Sequence, residues 1–228
     1  GSMTKLLLDE GARVTAFEID KGFMRLLSDF FKAEIEEGAL RIVSGDAVKT
    51  WKSAYEDSGL PARFFGNLPY SIAASLIADT IERGARFDKA VVTVQKEVAD
   101  RMTAKEGGDD RSSFSVLCQW AYDVKGLSDL ASGNFWPKPH VASRAVVMTK
   151  KSDFPACENP SLFIKMQRAL FSSRRKNIRN NLTAFTGSAE RAERALTLAA
   201  LDPSLRAEML SLAEVLRLSD ALNSVILS

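Results

Sequence analysis

Histidine and cysteine are scarce in this chain, and their scarcity narrows its chemistry. There is one histidine, His140, and there are two cysteines, Cys118 and Cys157, in 228 residues. A zinc site of the Cys/His type needs three or four such ligands converging on one point, so no metal centre is expected. The cysteines lie far apart and outside any C-x-x-C, which reads as reduced thiols in a cytoplasmic setting rather than a disulfide framework. His140 stands between Pro139 and Val141, a place that suits a structural role better than general-base work. No apolar run approaches the roughly 18 residues that a spanning helix requires. The opening Gly1-Ser2-Met3-Thr4-Lys5 is not a secretory signal, because no apolar region follows a basic one. No membrane partner is therefore expected. Excess charge is missing too: 31 Lys and Arg against 29 Asp and Glu leave +2, so any partner must be argued from where the charge sits.

What is present is an ordinary globular composition, 46% apolar and 26% charged, long enough for one large or two small domains. Short apolar strands are expected at 13–18, 40–44, 63–66 and 90–95, with late strands at 124–130 and 144–149. Helical spacing is expected at 3–10, 23–34, 71–83, 96–103 and 114–122. On the second helix Phe23, Leu26, Leu27, Phe30 and Phe31 share one side. Strands alternating with helices argue for a parallel sheet covered on both faces. Residues 151–161, K-S-D-F-P-A-C-E-N-P-S, form the best linker. Beyond it the pattern is helical, with helices expected at 162–171, 175–185, 189–200, 205–210, 212–216 and 219–227. These readings divide the chain into an α/β domain at 1–152 and an all-α domain at 153–228. A doubly wound nucleotide-binding sheet opens with a strand, a Gly-rich loop and a helix. This chain opens at that first helix, so it is expected to lack the loop and to hold a nucleotide cofactor weakly.

The stretch Asn67-Leu68-Pro69-Tyr70 carries the most chemistry. Pro69 fixes its own φ and drives Leu68 into extended backbone, which stiffens the turn. The Asn67 oxygen and the Leu68 carbonyl can accept both hydrogens of a planar aromatic amine while Tyr70 stacks on the ring. Glu18 ends a strand, where a carboxylate can accept from both ribose hydroxyls of a nucleoside, and Ile19 would pack on its adenine. Asp46, in S-G-D-A, would meet the cofactor's exocyclic amine or else cap a helix. Three strand ends thus carry polar groups that one crevice at the sheet's carboxyl edge can collect. Phe135, in a stiff loop with two prolines, could cover the second face of a flipped base or serve as a core residue. Six basic residues, Lys165, Arg168, Arg174, Arg175, Lys176 and Arg179, and no acid lie between Glu158 and Glu190. They read as a footprint for RNA phosphates, on a helix, or else as a solvated face.

In order, these features resemble the small-subunit ribosomal RNA adenine dimethyltransferases of the kasugamycin-resistance type. The likeness covers nearly the whole chain. It runs through L-L-x-x-G-A-x-V-x-A-x-E-I-D (Leu7 to Asp20), G-D-A (Gly45 to Ala47) and N-L-P-Y (Asn67 to Tyr70). It continues through V-Q-K-E-V-A-x-R-M (Val94 to Met102), F-x-P-x-P-x-V-x-S (Phe135 to Ser143) and F-S-x-R-R-K-x-x-x-N-N-L (Phe171 to Leu182). The resemblance implies a Rossmann-like methyltransferase domain with a small helical C-terminal domain. It implies S-adenosylmethionine as donor and, as substrate, two adjacent adenines near the 3′ end of 16S-type RNA in the small subunit, each methylated twice at N6. Glu18, Ile19, Asp46, Ala47 and Asn67 match the cofactor contacts. Asn67, Leu68, Pro69, Tyr70 and Phe135 match the catalytic set. The loop from Asp109 to Phe114 departs from the family's usual Tyr-Gly-Arg-Leu. A monomer is expected. The rivals are an enzyme that dimethylates a 23S-type adenine, which more often has Ile in the turn, and a non-catalytic ribosome-assembly factor on the same fold. A DNA adenine methyltransferase is a third.

Overall fold

The structure, a computed structural model, describes residues 1–56, 59–131, 133, 135 and 141–227. The chain divides into two units, Gly1–Leu60 and Pro61–Ser228.

In the first unit α1 (Ser2–Asp9) leads to β1 (Val14–Glu18), α2 (Lys21–Phe30), α3 (Lys32–Glu36), β2 (Leu40–Ser44) and α4 (Ala47–Ala54). β1 and β2 pair in parallel, from Val14 opposite Leu40 to Glu18 opposite Ser44. Asp20 sets the start of α2 by accepting the amide of Phe23, which pays one of the orphan donors of the first turn. The helix expected over 23–34 breaks at Phe31, which opens α3. The break divides the apolar side: Phe31 is 1% exposed, whereas Phe23, Leu26 and Phe30 remain exposed.

In the second unit β3 (Arg63–Asn67), α5 (Ala73–Glu82), β4 (Lys89–Gln95), α6 (Lys96–Thr103), α7 (Ser113–Ala121), β5 (Tyr122–Leu130) and β6 (Ser143–Lys150) precede four helices. These are α8 (Pro160–Leu170), α9 (Ile178–Thr186), α10 (Ala189–Leu198) and α11 (Leu212–Leu227). The strand order is β3-β4-β6-β5. β3 and β4 are parallel, but β6 runs antiparallel to both β4 and β5, so this sheet is mixed rather than wholly parallel. β5 and β6, neighbours in the sheet, are joined by only the 12 residues 131–142 and run antiparallel. A bulge between Gly126 and Ser128 leaves Leu127 exposed. The two helices expected at 212–216 and 219–227 are one, α11, and the one expected at 205–210 is a single 3-10 turn, Ala207–Met209.

The stretch expected as a linker is fastened down. Trp120 packs on Phe154 and Phe163, with ring centroids 4.4 Å and 4.5 Å away, and its indole N–H donates to the Pro155 carbonyl. The Arg86 guanidinium lies 3.8 Å over the Phe154 ring. The 104–112 loop is bolted to the last helices in the same unit. Arg111, 1% exposed, donates to the carbonyls of Ala104 and Leu210 at 2.9 Å and 3.2 Å and to Gln119 Oε1 at 2.7 Å. The Gly107 amide donates to Glu208 O, and Arg174 donates to Asp109 O. Burial draws the Arg111 guanidinium below its ordinary pKa, and Glu106 opposes the shift. Arg111 is therefore a structural bolt and not an RNA contact.

Replacing Arg111 by Met keeps the apolar stem but removes three hydrogen bonds, those to Gln119 Oε1 and the Leu210 carbonyl and one of two to the Ala104 carbonyl, which keeps its bond from Gln119 Nε2. Urea unfolding is expected to show a loss of about 1–3 kcal/mol. An unchanged midpoint and slope would contradict the bolt.

Candidate active site

The Asn67-Leu68-Pro69-Tyr70 turn begins where β3 ends. Asn67 is the last residue of that strand and pairs with Thr93 of β4. The next amide, Leu68 N–H, donates to the Thr93 carbonyl at 3.3 Å, so the turn stays tied to the sheet for one residue past the strand. The Leu68 side chain is buried and folds back against Gly66. A Cβ on Gly66 would stand 2.6 Å from Leu68 Cδ2, so any side chain there would force the buried Leu68 side chain to move. Pro69 then ends the extended segment. Its carbonyl accepts the amides of Ile72 and Ala73 and starts α5.

This leaves a distinctive set of groups. Among the described residues nothing donates to the Asn67 side-chain oxygen or to the Leu68 carbonyl. Asn67 is exposed, so its amide stands free for a ligand. Tyr70 is half-buried, and its hydroxyl meets Ser143 Oγ at 2.5 Å. Ser143 is fully buried at the start of β6, opposite Gln95 of β4 and Leu130 of β5. The structure thus joins N-L-P-Y to the end of F-x-P-x-P-x-V-x-S through one hydrogen bond. Phe135 is half-buried in the β5–β6 connection. Trp136, Pro137, Lys138, Pro139 and His140 lie outside the described residues.

Charged groups hold both ends of that connection. Arg144 pairs with Asp100 of α6 and with Asp129 of β5, and Lys96 pairs with Asp129 at 3.3 Å. The Arg144 guanidinium and the Lys96 ammonium hold the Asp129 carboxyl below its ordinary pKa. The Lys96 amide adds a bond to Ala142 O at 2.9 Å.

In the first unit the residues expected to hold a cofactor stand at adjacent strand ends. Glu18 and Ser44 are register partners, and the Gly45 amide donates to Glu18 O at 2.9 Å. Gly45 has φ of +124°, which glycine adopts without strain, and the turn delivers Asp46. Glu18 Oε1 accepts the Asp20 amide at 2.8 Å, while Oε2 has no partner among the described residues. Ile19 is 68% exposed beside it, an unusual setting for a large aliphatic side chain and one that suits packing on a flat ring. Asp46 caps α4 by accepting the Val48 amide with Oδ1, and Ala47 is the first residue of that helix. The cap reading of Asp46 is realised on one oxygen, and nothing in it consumes the other. These donors and acceptors fit a nucleoside.

The basic residues separate into two sets. Arg168 pairs with Glu82, Arg179 with Glu193, and Arg174 donates to the Asp109 carbonyl at 2.6 Å. Lys165, Arg175 and Lys176 are exposed and form no ion pair among the described residues. The helix expected from 175 starts instead at Ile178, because Asn177 caps it by accepting the Asn180 amide. Arg174, Arg175 and Lys176 therefore lie on a loop. Gly66, Ser143, Arg144 and Asp129 escaped sequence reasoning. Gly66 and Ser143 stood inside quoted stretches, but their partners are other strands and turns that spacing does not reveal.

The chain matches the family model for ribosomal RNA adenine dimethylase over residues 1–224. It is 45% identical over 223 residues to the ribosomal RNA small subunit methyltransferase A of Treponema denticola, covering 96% of this chain and 76% of that protein. It is 34% identical to the protein of the same name from Streptococcus pneumoniae (strain JJA), covering 97% and 79%. Among solved structures, a dimethyladenosine transferase from Plasmodium falciparum superposes with a TM-score of 0.74 at 23% identity, covering 95% of this chain and 83% of that one. The 23S rRNA methyltransferase ErmE superposes at 0.64 with 22% identity, covering 92% and 82%. Both share its fold, that of the S-adenosylmethionine-dependent methyltransferases. With a family model spanning nearly every residue and relatives above a third identical over most of their own length, the chain belongs to the ribosomal RNA adenine dimethylases.

Proposed function

We propose that the protein dimethylates N6 of two adjacent adenines near the 3′ end of small-subunit ribosomal RNA, in the course of ribosome biogenesis. One observation carries the reading: two acceptors without a partner among the described residues, the Asn67 side-chain oxygen and the Leu68 carbonyl, stand in succession on a turn stiffened by Pro69. An aromatic amine is a poor nucleophile because its lone pair is delocalised into the ring. Acceptors for both of its hydrogens favour a pyramidal nitrogen with the lone pair localised. Tyr70 and Phe135 would stack on the base, so orientation supplies much of the rate and no strong base is required. S-adenosylmethionine, the family's donor, supplies an electrophilic methyl on a sulfonium. Glu18 would hold its ribose, Ile19 would pack on its adenine, and Asp46 and Ala47 would meet the adenine edge, with Asn67 close to the transferring methyl.

Residues 1–152 would form the methyltransferase part and 153–228 the RNA-binding part, which is wholly helical from α8 onward. Lys165, Arg175 and Lys176 would contact phosphates directly. Arg168, Arg174 and Arg179, being engaged within the chain, would contribute field more than contact. We place the protein in the cytoplasm as a monomer acting on the assembling small subunit. Both cysteines are free thiols, and no described helix is long and apolar enough to cross a membrane. Relatives named for the small subunit at 34–45% identity favour it over the 23S-type enzyme, whose solved representative shares only the fold. The free acceptors at Asn67 and Leu68 favour an enzyme over an assembly factor.

Methyl transfer to immature small subunits, to large-subunit RNA and to DNA separates these readings. Dimethyladenine in the small subunit alone is expected, and transfer to large-subunit RNA at a similar rate would overturn the assignment. In the same assay Asn67→Ala should lower kcat by about 100-fold or more, the scale seen when one preorganised polar group is removed from a reacting centre, with little change in KM.

Replacing both Arg175 and Lys176 with Ala should weaken subunit binding. It should flatten the dependence of log K on log salt by roughly 1.5–2 units, the expectation for two lost phosphate contacts. An unchanged slope in a titration over several salt concentrations would mean that this loop does not touch RNA.

A further inference from the structure

Tyr70 is held at its far end. Its hydroxyl lies 2.5 Å from Ser143 Oγ, and Ser143 is fully buried at the first position of β6. That position is fixed from both sides, by Gln95 of β4 and by Leu130 of β5. The anchor therefore belongs to the sheet, although the motif containing it begins in a loop. Tyr70 itself sits past the strand in the turn before α5, where only local backbone restrains it. A tyrosine ring swings as a whole about its first side-chain torsion, and a hydrogen bond at the hydroxyl, the far end of that lever, restrains the swing.

The two methyl transfers make unequal demands on that ring. In the first, N6 carries two hydrogens, one for Asn67 Oδ1 and one for the Leu68 carbonyl. An N–C bond forms, the sulfonium S–C bond breaks, and the products are the thioether S-adenosylhomocysteine, monomethyladenine and one proton released to solvent. In the second, N6 carries one hydrogen and one methyl, so one acceptor has lost its donor. The same bonds form and break with a second sulfonium donor, and the last hydrogen leaves as a proton to solvent. With half the hydrogen bonding gone, the orientation of the base rests more heavily on stacking.

We propose that Ser143 is a positioning residue that holds the Tyr70 ring for the second methyl transfer and so sets the ratio of dimethyl to monomethyl product. The proposal rests on the reading of Asn67-Leu68-Pro69-Tyr70 as the catalytic turn. Ser143 touches neither base nor donor; it acts through the ring.

The test is single-turnover methylation of immature small subunits by Ser143→Ala, Tyr70→Phe, the double variant and Ser143→Thr, with nucleosides quantified by mass spectrometry. In Ser143→Ala the first transfer should stay within about 2-fold of wild type, and in both Ser143→Ala and Tyr70→Phe the second transfer should slow about 3- to 10-fold relative to the first, the worth of one hydrogen bond. Monomethyladenine should accumulate. The double variant should be no slower than either single one, because both remove the same bond. Ser143→Thr keeps the hydroxyl and should restore dimethylation. A small-subunit RNA with 2-aminopurine at the target adenine gives a reading independent of transfer, since stacking on Tyr70 quenches it. Quenching should be weaker in Ser143→Ala. Equal slowing of both transfers, additive effects in the double variant, or wild-type product ratios would each overturn the proposal. If Ser143→Ala fails to fold, Tyr70→Phe carries the expected fall in the ratio of dimethyl to monomethyl product with the buried serine intact. Asn67→Ala run alongside tells the two failures apart. If it retains transfer, the catalytic-turn reading falls; if it is inactive while Ser143→Ala makes normal dimethyl product, only the role of Ser143 falls.

Discussion

The register of β4 is the constraint on which the proposed catalytic turn, Asn67 to Tyr70, depends. Ala90, Val92 and Val94 are completely buried, so this strand cannot slip by one residue without turning its apolar side out of the core. On one edge Thr93 faces Asn67, and its carbonyl takes the Leu68 amide. On the other edge Gln95 faces Ser143, which holds the Tyr70 hydroxyl. One strand thus places the amine acceptors and, through β6, the far end of the stacking ring. Local stiffness completes the arrangement. Gly66 lets Leu68 fold back, Pro69 ends the extended run, and the Leu68 carbonyl is left with no donor among the described residues.

Charge is distributed by a similar division between structure and function. Where the chain needs rigidity, its arginines are consumed internally: Arg111 by carbonyls and Gln119, Arg144 by Asp100 and Asp129, Arg168 by Glu82. Exposed pairs of this kind contribute little stability singly. Their value here lies in tying α6, β5 and β6 together at the two ends of the connection that carries Phe135. Within the basic run of 165–179, Lys165, Arg175 and Lys176 are exposed and form no ion pair among the described residues. A net charge of +2 conceals this division, and only the pairing exposes it.

Much of this was legible in the sequence, for a physical reason. Asn67 to Tyr70, Glu18 and the Gly45-Asp46 turn act through backbone geometry within a few residues, and such geometry leaves a local signature. Most strand and helix positions followed from periodicity to within a few residues, but α4 (Ala47–Ala54) was not expected. What escaped depends on partners distant in the chain. The antiparallel β6, the bolt at Arg111 and the anchor at Ser143 join residues 44 to 99 positions apart or lie between strands far apart in sequence. The basic run was read as helical because its charges mask the stop. Asn177 as a cap, with Ile178 following it, was the available signal.

The central claim is that Asn67 and Leu68 accept the hydrogens of the target amine. The most direct measurement is a structure of the protein bound to its small-subunit RNA and a non-transferring analogue of S-adenosylmethionine. The account predicts N6 of the target adenine within about 3 Å of both Asn67 Oδ1 and the Leu68 carbonyl, with the base lying on Tyr70. An adenine whose amine is held elsewhere, with those two acceptors bonded only to water, would contradict it.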